Sequence, residues 1–234
     1  MKRIVLLVLF LSSWIPTACA DEDVRQKLLR DSISVMEEMV NAPDQEIPMD
    51  LISQAKAIII FPTMVKAGFF VGGRYGKGVA TMRSRKTGKF GPPAFITQAG
   101  ASFGFQFGVE AVDLILLVMT QRGVEGLLKN QFTLGADAAV SVGPVGRHAE
   151  AAVDVMMQGE IYSYSRSKGA FVGISLKGTV ITGDEDANHL YYNQALKSKA
   201  ILLGGKVRKL PQTGERFIKA INLLVQVKEK AGKK

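Results

Sequence analysis

In VRQKLLRDSISVMEEMVN, residues 24–41, the apolar side chains Val24, Leu28, Leu29, Ile33, Met36, Met39 and Val40 recur at helical spacing. That pattern predicts an amphipathic helix. Pro48 opens a second, shorter helix through Ala55, since proline suits a first helical position. AIIIFP, residues 57–62, is a continuous apolar run of strand length, and Pro62 is expected to stop it. From Val65 to Ile181 glycine, aromatic and β-branched residues dominate, predicting short strands separated by turns at RYGKG, TGKFGPP, VGPVG and SKG. One short helix is expected near Val124 to Asn130. After Gly183, DEDANHLYYNQALKSKAILL reads as helical, with acids in its first turn, and PQTGERFIKAINLLVQVKEKAGKK closes the chain as an amphipathic helix with a basic tail. Helices flanking a run of antiparallel strands give an α+β class. The expected architecture is a strongly twisted, mostly antiparallel sheet or barrel-like β core over about residues 57–181, between N- and C-terminal amphipathic helices.

TQAGASFGFQFGVEAVDLILLVMT, residues 97–120, admits three readings. Positions 99, 101, 103, 105, 107 and 109 are all apolar, and 100, 102, 104, 106 and 108 are all small or polar. A period of two is a strand signal. Gly100-Ala101-Ser102-Phe103-Gly104 also matches the G-x-S-x-G elbow of serine hydrolases, and the order Ser102, Asp154, His189 formally permits a triad. The elbow needs a strand that ends at the serine and a helix that starts there, whereas here alternation runs on through Ser102. Gly100, Gly104 and Gly108 repeat the spacing of packed membrane helices, but Gln106, Glu110 and Asp113 interrupt the window. The strand reading stands, and same-face glycines then let a neighbouring element approach closely.

Charge adds a second pattern. The chain carries a formal +9, and without residues 1–20 it holds 28 basic against 21 acidic side chains, net +7. Between Asp50 and Glu110 there is no acid, while Lys66, Arg74, Lys77, Arg83, Arg85, Lys86 and Lys89 crowd residues 66–89. If GGRYGKG turns one strand back on the next, Arg74 and Lys77 meet at the hairpin tip. Arg83 and Arg85, two apart, would share a strand face. Such a cluster suits a polyanionic headgroup. A further basic segment runs from Lys197 to Lys209.

Other chemistry is thinner. GGRYGKG lacks the spacer and the Ser or Thr of a P-loop, and Thr81 occupies the last glycine of a dinucleotide fingerprint. Asp184, Asp186 and Asn188 begin like a calcium loop, but His189 replaces its glycine and Ala195 its glutamate, so capping of a helix explains the acids better. The histidines are His148 and His189, and Cys19 is the one cysteine. Tyr162, Tyr164, Phe171, Tyr191 and Tyr192 read as core aromatics. No metal or other cofactor is expected.

The N-terminus reads as an address. Lys2 and Arg3 precede an apolar run from Ile4 to Trp14, and Ala18-Cys19-Ala20 offers the small-x-small pattern of a cleavage site. Residues 1–20 are expected to be a cleaved export signal, leaving Asp21 first and one domain over 21–234. Lipidation at Cys19 is the rival processing route.

AKAIIIFPTMVKAGFFVGGRYGKGV, GASFGFQFGVEAVDLILLVMT, LGADAAVSVGPVGRHAEAA, IYSYSRSKGAFVGISLKGTVI and DEDANHLYYN together resemble the SYLF-domain family over most of the chain. The resemblance implies a lipid-binding domain, phosphoinositide-binding in eukaryotic relatives, with actin binding in some members; no segment here supports actin. It implies membrane contact through a basic patch and an N-terminal amphipathic helix. These map onto Lys66, Arg74, Lys77, Arg83, Arg85, Lys86 and Lys89, and onto Val24, Leu28, Leu29 and Ile33.

The expected function is therefore non-enzymatic binding of anionic phospholipids at the surface of a cell envelope or periplasmic membrane. The alternative is an envelope structural or interaction protein with an acidic partner, and a serine esterase using Ser102 stands behind both. An export signal removes nucleic acid as the usual partner of a basic chain.

Overall fold

A computed structural model describes residues 23–42, 47–145, 159–204 and 206–231, with 69–71, 102–108 and 227–231 described by their backbone alone. The expected export signal, Cys19, His148 and Asp154 lie outside the described residues.

Helix α1 (Val24–Val40) starts where the Asp23 carboxylate accepts from the Arg25 N–H at 3.0 Å. Helix α2 (Met49–Gln54) follows Pro48. Two very long antiparallel strands come next, β1 (Ala57–Met82) and β2 (Ala94–Val118), paired from Ala57↔Val118 to Ala80↔Ala94. The remaining elements are α3 (Gln121–Leu127), β3 (Gln131–Thr133), β4 (Val140–Val142), β5 (Ile161–Ser167), β6 (Ala170–Phe171), β7 (Val180–Gly183), α4 (Glu185–Tyr192), α5 (Ser198–Leu202) and α6 (Gln212–Ala231). The class is α+β, as expected. The sheet is antiparallel except for the β4–β5 pair.

A straight strand of 26 residues would run about 85 Å at ~3.3 Å per residue, far longer than a domain of this size. Instead β1 curls. The pairing register shifts between Phe61 and Met64 and again between Gly68 and Phe70, and each such irregularity bends a strand. Pro62 does not end the strand as expected. It sits in the first irregularity, where its missing N–H costs no ladder bond. Thr63 beside it has φ 61°, and its N–H donates to the Asp113 carboxylate at 3.1 Å.

The curl folds β1 back over itself. A Cβ added at Gly78 would lie 2.4 Å from both the Ile60 carbonyl oxygen and the Phe61 ring. The expected hairpin at GGRYGKG is thus corrected: residues 72–78 are mid-strand, and Gly76 and Gly78 serve close packing rather than a turn. The true β1–β2 connection spans residues 83–93, at the predicted TGKFGPP turn. SKG does turn, with Lys168 at φ 49° and Gly169 at φ 82° joining β5 to β6.

Leu29, Met36 and Met39 of α1, Ile58 to Phe61 of β1, Leu114 to Val118 of β2, and Phe217 and Ile221 of α6 meet in one buried core. Tyr162, Tyr164, Tyr191 and Tyr192 are buried within it, as expected of core aromatics, with Phe171 packed against it.

Candidate functional site

The β1–β2 connection is held at both ends. Arg83 donates to three carbonyls, those of Ala55 (3.0 Å), Gly88 (2.7 Å) and Ile52 (3.3 Å), and its guanidinium lies 4.4 Å above the Phe90 ring. Asn222 of α6 accepts the Phe90 N–H at 2.9 Å and donates back to the Phe90 carbonyl at 3.0 Å. Between these anchors the chain turns tightly. The N–H of Ser84 donates to the Lys89 carbonyl and that of Gly88 to the Ser84 carbonyl. Arg85, Lys86 and Lys89 are exposed on this turn. Arg85 donates to the Gln121 amide oxygen at 2.6 Å.

The seven sequence-expected cations therefore do not form one patch of equals. β1 ends at Met82, so Arg83 and Arg85 do not share a strand face. Arg83 is a structural clamp on the end of α2, and its charge sits against carbonyl oxygens rather than solvent. Lys77 pairs with Asp184 at 3.5 Å, and Asp184 caps α4 by accepting from the Ala187 N–H at 3.1 Å. This carboxylate comes from well beyond the acid-free window, so no local pattern points to it. Lys66 and Arg74 lie far along β1 on its concave side, with Ser175 and Lys177 of the β6–β7 connection brought over them. Arg74 donates to the carbonyls of Ala101 and Ser175, and burial lowers its pKa from the ordinary value. Lys177 and Asn222 are absent from the sequence-expected set. Nothing local marks either residue, because both reach their sites through tertiary packing.

The helix expected to touch the membrane is mostly core. Leu29 is 0% exposed and Leu28 and Ile33 are partly buried, leaving Val24 outside at 69%. In this structure the helix's apolar stripe packs against β1 and α6, and such a stripe serves a core or a bilayer equally well. Among the described residues no helix is long and apolar enough to cross a membrane.

Ser102 lies inside β2, which continues to Val118 with no helix starting at the serine. The strand–turn–helix setting of a nucleophile elbow is not formed, and His189 is exposed on α4. Asn188, the other residue of the calcium-like run, is buried, accepting the Phe95 N–H at 2.8 Å and donating to the Phe95 carbonyl at 3.1 Å. Its amide is committed to tying α4 to β2.

A family model described as Ysc84, Las17-binding protein actin regulator, matches residues 99–224, more than half of the chain. Human SH3 domain-containing YSC84-like protein 1 is 32% identical over 209 residues, covering 89% of this chain and 59% of the relative. LAS seventeen-binding protein 3 of Saccharomyces cerevisiae is 38% identical over 177 residues, covering 74% of this chain and 38% of its own length. Protein YSC84 of the same yeast is 36% identical over 181 residues. The chain spans 38% to 59% of the length of these relatives. The matched residues and the identity to these relatives show that this chain belongs to the SYLF (Ysc84) family.

Proposed function

We propose that the chain is a non-enzymatic binding domain that docks on membrane surfaces rich in anionic phospholipid through Arg85, Lys86 and Lys89. The observation that carries this reading is their exposure on one clamped turn with no ion-pair partner among the described residues. A fixed turn presents its charges without the entropy cost of ordering a loop. Each near-surface cation contributes on the order of 1 kcal/mol against an anionic membrane. Export through residues 1–20 would bring the turn to envelope lipids.

The test is cosedimentation with phosphatidylglycerol vesicles against phosphatidylcholine vesicles across a salt series. Binding to the anionic vesicles, weakened by salt and lost in Arg85→Glu/Lys86→Glu, is expected; unchanged binding in that variant rejects the turn. A second reading draws on the family description and the name of the yeast LAS seventeen-binding protein 3, which specify Las17 binding. There the same cations meet an acidic protein, and the signature is a stable protein complex without vesicle binding.

A further inference from the structure

On the concave side of the curled sheet a cavity of about 410 Å³ opens between β1, β2 and the β6–β7 connection. Its lining includes Lys66, Arg74 and Lys177 and, among the described residues, no carboxylate. Glu110, the cross-strand partner of Lys66, lies outside that lining. Arg74 is the informative member. A guanidinium has five N–H donors, and among the described residues its three bonds go to the neutral carbonyls of Ala101 and Ser175. A half-buried cation with only neutral acceptors keeps part of its desolvation cost, consistent with its lowered pKa. An oxyanion at the remaining donors would offset that cost.

The surroundings leave room, and one unpartnered hydroxyl lies behind Gly100, outside the lining. Thr179 is 0% exposed, and its hydroxyl has no hydrogen-bond partner among the described residues. It stands beside the guanidinium because Gly100 has no side chain: a Cβ there would lie 3.2 Å from Thr179 Oγ1 and 3.3 Å from Arg74 Nε. At the rim, a Cβ added to Gly173 or Gly178 would meet nothing within 4 Å. A planar fork at the wall with two mobile ammonium groups around it matches an anion that offers several oxygens in three dimensions.

We infer that this cavity is a binding site for a phosphate-type oxyanion, received by Arg74 with Lys66 and Lys177. Volumes of this order hold a small phosphorylated molecule or the headgroup of a lipid. The site is separate from the 83–90 turn, so it stands or falls independently of the membrane-docking reading.

The test titrates the full chain calorimetrically, at fixed ionic strength, with inorganic phosphate and with glycerol 3-phosphate. In parallel, vesicles of phosphatidic acid are compared with phosphatidylglycerol vesicles of matched charge. Saturable binding of the soluble phosphates, weakened about tenfold or more by Lys66→Gln/Lys177→Gln, establishes the site with a free phosphate as ligand. A preference for phosphatidic acid lost in the same variant, without soluble binding, establishes it with a lipid source. Gly173→Asp places a carboxylate at the open rim and must have the same effect. Lys129→Gln/Lys199→Gln, which removes equal charge elsewhere, must not. If no phosphate in either form responds to the Lys66/Lys177 and Gly173 variants, the inference is overturned. Loss of phosphatidylglycerol binding in Arg85→Glu/Lys86→Glu bears on the turn alone.

Discussion

The backbone N–H of Arg83 donates to the carbonyl of Lys56 at 2.8 Å, so the residues just outside the two ends of β1 are bonded to each other. A strand whose ends meet has curled almost into a ring. The same closure delivers the Arg83 side chain to the carbonyls of Ile52 and Ala55, at the end of α2. Cations are favoured at helix C-termini for the same reason they are favoured here: the last carbonyls lack helical partners.

Arg83 and Arg85 should therefore separate cleanly by mutation. Arg83→Ala removes three hydrogen bonds and the guanidinium over Phe90, and is expected to cost about 2–3 kcal/mol in urea unfolding. Arg85→Ala removes one exposed hydrogen bond and is expected within about 0.5 kcal/mol of the parent. Equal stability losses at the two positions would show that the clamp is misassigned.

The glycines of β1 make a second contrast. Gly78→Ala drives a methyl to 2.4 Å from a backbone oxygen that cannot swing away, and is expected to destabilise by about 3 kcal/mol or more. Gly73→Ala meets nothing within 4 Å and should stabilise by about 0.5 kcal/mol, by restricting the unfolded chain. Thermal melts of the two variants check both signs.

This contrast also explains what is readable in the sequence. Helices α1, α2 and α6 are legible because helical spacing and a proline are local signals. Strand β2 is legible from strict alternation through Ser102. Gly76 and Gly78 read as turn residues because a glycine needed for a left-handed turn and one needed for close packing look alike in one dimension. Pro62 misleads for a related reason, since a strand end and an irregularity inside a strand both tolerate a missing N–H. The exposed cations of the turn are legible as a local cluster, whereas the bonding of Arg83 to the Ile52 and Ala55 carbonyls and the pairing of Lys77 with Asp184 depend on segments distant in the chain.

Buried tyrosines set an alkaline limit. Burial raises the hydroxyl pKa of Tyr164, Tyr191 and Tyr192; the neighbouring Tyr162 adds to it for Tyr164, and Tyr191 for Tyr192. A phenol whose folded pKa is raised holds its proton more tightly in the folded than in the unfolded chain. It contributes no pH dependence below the ordinary tyrosine value of about 10, and stability falls as pH rises from there towards the folded values. Tyrosinate absorbance of these three should appear together with loss of the folded circular dichroism signal. Ionisation of all five tyrosines in a chain that stays folded would contradict their burial.

Two positions on α1 decide whether that helix takes part in docking. Leu29 is enclosed by the core, so Leu29→Asp buries a carboxylate and should unfold the chain, at a cost above about 4 kcal/mol. Val24 is 69% exposed, and Val24→Asp should leave the fold intact. If the 83–90 turn alone meets the bilayer, Val24→Asp also leaves cosedimentation with phosphatidylglycerol vesicles unchanged. A folded Val24→Asp variant that no longer binds vesicles would mean that α1 leaves the core at the membrane. Docking would then require separating Leu29 and Met36 from β1 and α6, and vesicle binding would weaken as the folded state is stabilised, for instance by Gly73→Ala.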